Sequence, residues 1–123
     1  MPFQSPIPVL RSFDEAATRA FYLDFLGFAV LFEHRFDPTA PLYLAVRLGA
    51  CELHLSEHHG DATPGSTVRI GVADVHTLSA ELRAKPYPRS RPGVTRQPWG
   101  LDEAAVTDPS GNRLVFWSEP RDG

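Results

Sequence analysis

The chain has 123 residues and a formal net charge of −3, from 12 basic and 15 acidic side chains, and 42% of it is apolar. That length supports one ordinary core, and so mild a charge gives no field that would recruit nucleic acid. No run of roughly 18 apolar residues is present, so no segment reads as a membrane span.

The first residues, MPFQSPIPVLRSFDE, carry no basic-then-apolar leader and read as a short arm leading into a strand. The single cysteine, Cys51, admits no intrachain disulfide. Both features fit a cytoplasmic protein. Residues 6–11 (PIPVLR) predict a strand near a sheet edge, because Pro8 cannot donate to a ladder. Ser12 or Asp14 can cap a helix over 14–26, which carries Ala17, Ala20, Phe21, Leu23 and Phe25 and ends at Gly27. Residues 28–36 (FAVLFEHRF) predict a strand and Asp37-Pro38 a turn. Strands follow at 41–48 and, after Gly49-Ala50, at 51–56, where CELHLS alternates cleanly. Residues 58–65 are loop, and the adjacent His58 and His59 read as exposed loop residues.

The same order then starts again. Residues 67–72 (TVRIGV) predict a strand, and Asp74 caps a helix over 75–84. A proline- and arginine-rich loop leads to a weak strand near 94–97, a strand at 102–107, the turn DPSGN and a strand at 113–118. AVRLGACELHLS (45–56) parallels AVTDPSGNRLVFWS (105–118), with the turn lengthened by two residues. The fold class is therefore α+β: a single domain, 1–123, of two similar modules, about 1–57 and 66–120, each a four-stranded sheet with one helix. Strand alternation gives each sheet one buried face and one distinct face that can line a cleft.

The segments IPVLRSFDEAATRAFYLDFLGFAV (7–30), LGACELHLS (48–56), IGVADVHTLSAELR (70–83) and QPWGLDEAAVTDPSGNRLVFW (97–117) carry a resemblance that spans nearly the whole chain. The chain resembles the glyoxalase/bleomycin resistance/dioxygenase (vicinal oxygen chelate) superfamily, and within it looks most like the bleomycin resistance proteins. The resemblance implies paired βαβββ modules forming an open, barrel-like sheet around a cleft. It also implies a homodimer with clefts at the subunit interface, in which the N-terminal arm or strand can be exchanged.

Metal-dependent members of that superfamily place His, Gln or Glu at four strand positions. Matched residue by residue, these fall at Ile7, Glu52, Arg69 and Val115. Glu52 alone can bind a metal there, and one carboxylate does not make a site, even with His54 recruited two residues along the strand. The expectation is no metal and no cofactor. No nucleophile–base arrangement can be assembled either. Cys51 alternates away from Glu52 and His54 and reads as a buried small residue.

The expected activity is therefore non-catalytic binding and sequestration of a bleomycin-type glycopeptide antibiotic, a resistance function. The competing expectation is an enzyme of the superfamily (lyase, dioxygenase or thiol transferase) with a diverged or metal-free site. Glu52 and His54 share one strand face, Phe32 and Phe36 another, with Arg69 and Trp117 on two strands of the second module. Trp99 in QPWG offers a stacking surface at the cleft mouth, as the resemblance implies. Asp102 supplies acidic character toward a cationic ligand. These eight are the expected ligand-binding residues. The five basic residues between Arg83 and Arg96 read as a solvated loop.

Overall fold

The computed structural model describes residues 1–121. In chain order the elements are β1 (Val9–Arg11), α1 (Glu15–Arg19, continuing as a wider π-helical stretch over Ala20–Phe25), β2 (Ala29–His34), β3 (Tyr43–Leu48) and β4 (Cys51–Ser56). They continue with β5 (Thr67–Gly71), α2 (Val75–Ala84), β6 (Thr95–Arg96), β7 (Asp102–Thr107) and β8 (Arg113–Ser118). The strands form two sheets of identical plan, ordered β1-β4-β3-β2 and β5-β8-β7-β6. In each, the first strand lies parallel to the last and the other pairs are antiparallel. This is the α+β arrangement expected from the sequence, in the paired βαβββ modules that the resemblance implies. No helix among the described residues is long and apolar enough to cross a membrane.

The first strand is shorter than expected. Pro6 and Pro8 have no N–H, and regular pairing begins at Val9, although the Pro8 carbonyl still accepts from the His54 amide at 3.0 Å. The first helix begins as expected, with Asp14 accepting the Ala17 amide at 3.0 Å. Its second half differs from the expected α-helix. The Leu26 amide bonds the Phe21 carbonyl five residues back, and in this wider turn Phe21, Tyr22, Phe25 and Leu26 are all buried. Strand β2 lies at the sheet edge and carries a bulge at Leu31, after which Phe32 pairs with Ala45 and His34 with Tyr43. It ends at His34, so Phe36 lies beyond the strand rather than on its face, 83% exposed, with its ring edge-on to His34.

The two halves correspond residue by residue. The Ser12 amide donates to the Ser56 carbonyl as the Val72 amide does to Trp117, and Asp14 caps α1 as Asp74 caps α2. Positions 11 and 71 are thus equivalent, as are 56 and 117. Tyr43 pairs with Ser56 as Glu103 pairs with Trp117. Counted from these anchors, the β7–β8 turn is one residue longer than the β3–β4 turn, not two. The letter-by-letter repeat therefore runs one residue out of phase along the last strand.

Both helices and the inner faces of both sheets meet in one apolar cluster that includes Leu10, Leu44, Leu53, Leu55, Phe21, Phe25, Val75, Leu82, Val106, Leu114 and Phe116. Polar fasteners cross between the halves at the DPSGN turn. Tyr22 Oη donates to Asp108 Oδ2 at 2.6 Å, Asn112 Nδ2 to the Arg11 carbonyl at 2.8 Å, and the Phe13 amide to Ser110 Oγ at 3.0 Å. Burial, with the Asp108 charge second, pushes the Tyr22 hydroxyl far above its ordinary pKa, so it stays a donor. Tyr87 stacks on Phe25 with ring centroids 4.4 Å apart, which ties the loop after α2 to α1.

Candidate functional site

Each sheet turns its other face away from the core, and both faces carry polar networks. On the first sheet the register places Glu52, His54 and Ser56 of β4 beside Arg47, Ala45 and Tyr43 of β3, with Phe32 and His34 of β2 next in line. His54 Nε2 lies 2.7 Å from Glu52 Oε2, and Tyr43 Oη lies 2.7 Å from His54 Nδ1. Arg47 donates to the other Glu52 oxygen at 3.1 Å. The His54 hydrogen bond, assisted by Arg47, holds the Glu52 carboxyl below its ordinary pKa. An ionised carboxylate only accepts, so Nε2 is the donor to Glu52, and in the neutral imidazole Nδ1 then accepts from Tyr43. Burial raises the Tyr43 pKa, with the Asp61 and Glu52 charges adding to it, so its hydroxyl keeps its proton. Phe32 packs alongside, with its centroid 5.6 Å from His54 and 6.4 Å from Tyr43.

On the second sheet, Arg69 of β5, Val115 and Trp117 of β8 and Glu103 of β7 share the outward face. Arg69 Nη2 donates to Glu103 Oε2 at 2.7 Å, and the Trp99 indole N–H donates to the same oxygen at 2.8 Å. The Arg69 bond is the main reason the Glu103 pKa falls below its ordinary value. Trp99 is 62% exposed, so its anchored ring presents a face to solvent. Gly71 lets Trp117 lie across β5, because a Cβ there would sit 2.8 Å from ring atom Cζ2.

The two sheets border one groove of about 420 Å³. It is lined by Glu52 and Leu53 of β4, Val68 and Arg69 of β5, and Ser5, Pro6 and Pro8 of the N-terminal arm. Of the expected site residues, Phe32, Glu52 and His54 are therefore gathered on one face and Arg69, Trp99 and Trp117 on the other. Glu52 and Arg69 meet at the groove. Phe36 stands apart in its loop. Asp102 does not face outward with them: it is 2% exposed on the helix side, bonded to His76 Nε2 at 2.8 Å and paired with Arg96. The outward carboxylate is its neighbour Glu103. Ala104 and Val106 were the available signal, since their inward parity puts Asp102 inward and Glu103 outward.

The internal register also corrects the metal positions. Val9 pairs with His54 as Arg69 pairs with Val115, so His54 rather than Glu52 is the first-module counterpart of Val115. Val9, His54, Arg69 and Val115 hold one possible ligand between them. Among the described residues no group of three or more His, Cys, Asp or Glu side chains is placed to hold a metal ion.

A family model described as "Glyoxalase superfamily protein" matches residues 1–123. Among solved structures, the chain is similar to a bleomycin-binding protein from bleomycin-producing Streptomyces verticillus, complexed with copper(II)-bleomycin. The identity there is 32%, over 98% of this chain and 99% of that one, at a TM-score of 0.71. A bleomycin resistance determinant encoded on transposon Tn5 shares the fold at 23% identity, with 97% and 100% of the two chains covered and a TM-score of 0.71. An antibiotic-binding protein from a Streptomyces species shares it at 21% identity, with 98% and 99% covered and a TM-score of 0.72. No curated protein matches the chain.

Proposed function

The chain belongs to the glyoxalase/bleomycin-resistance superfamily, and from that premise we propose that it binds and sequesters a bleomycin-type glycopeptide antibiotic without transforming it. The observation that carries this reading is the 32% identity, along nearly the whole of both chains, with a protein that holds copper(II)-bleomycin. The outward faces suit such a ligand. Planar heteroaromatic groups stack on the free face of Trp99, whose ring Glu103 holds in place. Phe32, His54, Arg69 and Trp117 complete the proposed walls.

The binding unit is a homodimer acting in the cytoplasm. Support for the dimer comes from apolar surface left uncovered in one copy: Val30, Leu31 and Phe32 on the edge strand, and Met1, Phe3 and Ile7 on the arm. A second copy seated on the first sheet brings its own second sheet, or its arm, across that surface.

Titration calorimetry with copper(II)-bleomycin, together with a DNA-protection assay, tests the proposal. Saturable heat at one ligand per cleft and protection of DNA are the expected results. Absence of heat at micromolar protein ends the named-ligand reading. One observation favours a second reading, a superfamily enzyme with a metal-free site: the Glu52–His54–Tyr43 hydrogen-bonded chain is a ready proton relay. Turnover of a small metabolite that is lost in His54→Gln, with the fold intact, would replace binding by catalysis.

A further inference from the structure

The two ends of the seam between the halves are built from opposite chemistry at equivalent positions. At one end Ser12, Thr18, Tyr22, Asp108 and Asn112 are all buried and hydrogen-bonded, with Ser12 Oγ and Thr18 Oγ1 2.7 Å apart and Asn112 Nδ2 2.9 Å from Asp108 Oδ2. Their equivalents, counted from the two caps and the paired strands, are Val72, Leu78, Leu82, Leu48 and Cys51. The long DPSGN turn reaches across and seals its end. The Leu48–Cys51 turn is one residue shorter, carries no polar side chain but a thiol, and makes no hydrogen bond across the seam among the described residues.

A cavity of about 210 Å³ opens there, lined chiefly by Leu26, Phe28, Leu48, Cys51, Leu78 and Phe116. It lies on the helix side of the sheets, away from Trp99 and the Glu103 network, and borders the groove between the sheets along Ala50, Cys51, Ile70 and Gly71. Gly71 also borders it. The Val72 amide turns toward β8 to bond Trp117. By the alternation of a parallel ladder, the Gly71 carbonyl turns toward the seam, as the Arg11 carbonyl does where it accepts from Asn112. Cys51 occupies the Asn112 position and supplies no such donor. Burial raises its pKa, so it lines the cavity as a neutral thiol.

We propose that this cavity is a second binding site, for a small aromatic molecule with a single N–H or O–H donor, of the indole or phenol class. An apolar cavity of about 150 Å³ holds benzene, and this one, at about 210 Å³, is larger. The donor bonds the Gly71 carbonyl, replacing the amide that Asn112 supplies at the other end.

Indole is the probe. In the full chain, indole should shift the amide resonances of Leu48, Cys51, Val72 and Leu78 saturably. At ten times its dissociation constant it should slow modification of Cys51, the only thiol, by about tenfold. Benzothiophene, which has the same shape without the N–H, should bind about tenfold more weakly. Leu78→Trp or Leu48→Trp, at residues that line the cavity and not the groove, should fill the cavity and abolish the indole response while the response to copper(II)-bleomycin is unchanged. The site is refuted if indole shifts only residues around Trp99 and Trp117, or if both filled variants bind indole as the wild type does. Protection of Cys51 that follows protein concentration rather than indole also refutes it, because a second copy then covers the mouth. Equal affinity for indole and benzothiophene overturns the role of the Gly71 carbonyl.

Discussion

The Trp99 indole is held to Glu103 through a 2.8 Å hydrogen bond to Oε2, the oxygen that also accepts from Arg69. One carboxylate thus fixes both the most exposed aromatic ring of the second sheet and the guanidinium beside it. Trp99→Ala should weaken an aromatic ligand by more than about 1 kcal/mol, because it removes the stacking surface. Glu103→Gln should weaken it less, since the ring remains but is held more loosely. Calorimetry against the wild type reads both, with melting temperature as the check on folding. Unchanged affinity in Trp99→Ala excludes the ring from the site.

Tyr22→Phe tests the fastening between the halves. It removes the donor at 2.6 Å from Asp108, which keeps its bonds from Asn112 Nδ2 and the Ser110 and Asn112 amides. Loss of a buried hydrogen bond to a carboxylate is expected to cost about 1.5–3 kcal/mol. Urea unfolding measures it. A loss confined to a few tenths would mean that water replaces the hydroxyl.

Gly71→Ala should drive the Trp117 ring off β5, since the added methyl would sit 2.8 Å from Cζ2. Overpacking of this kind costs about 1–3 kcal/mol. Trp117→Leu should relieve it, so the double variant should be more stable than the sum of the singles predicts. Additive losses would show that the clash is taken up by the backbone instead.

The acid limb of stability follows from the same networks. The side chains of Glu52, Asp102 and Glu103 are each held below their ordinary values, by bonds first to His54, Arg96 and Arg69 respectively. A carboxyl with a depressed folded-state pKa adds stability that is fully present above its unfolded value. That stability is lost as pH falls through the folded one. Melting temperature should therefore hold from pH 7 to about 5 and fall steadily below about 4.5, near the unfolded carboxyl values. In Asp102→Asn combined with Glu103→Gln the melting temperature at pH 7 should be lower and the acid slope shallower. An unchanged slope would place the acid-sensitive groups elsewhere.

Much of the fold was legible because local chemistry fixes it. Asp14 and Asp74 announce both helix starts, and CELHLS announces its own faces. What escaped depended on phase. Pro6 and Pro8 cut β1 short. Leu31 inserts a bulge that no letter marks. Leu26 bonds Phe21 where an α-helix would have bonded Tyr22. Asp102 and Glu103 differ only in parity along β7, which the buried Ala104 and Val106 set. The repeat misled for the same reason: matching Ser56 to Ser118 follows identity, whereas the ladder matches Ser56 to Trp117. The cavity at Cys51 was not legible at all, since it comes from a difference between two turns that meet different helices.

The Tyr22–Asp108 and Asn112–Arg11 bonds lie at one end of the seam only. Polar bonds hold the DPSGN end, and apolar contact lines the Leu48–Cys51 end. The helices add ties of their own, with the Lys85 ammonium on the Phe25 carbonyl and Tyr87 stacked on Phe25. Two near-copies of one module thus meet through a seam whose two ends no longer match, and a substitution at one end has no equivalent at the other.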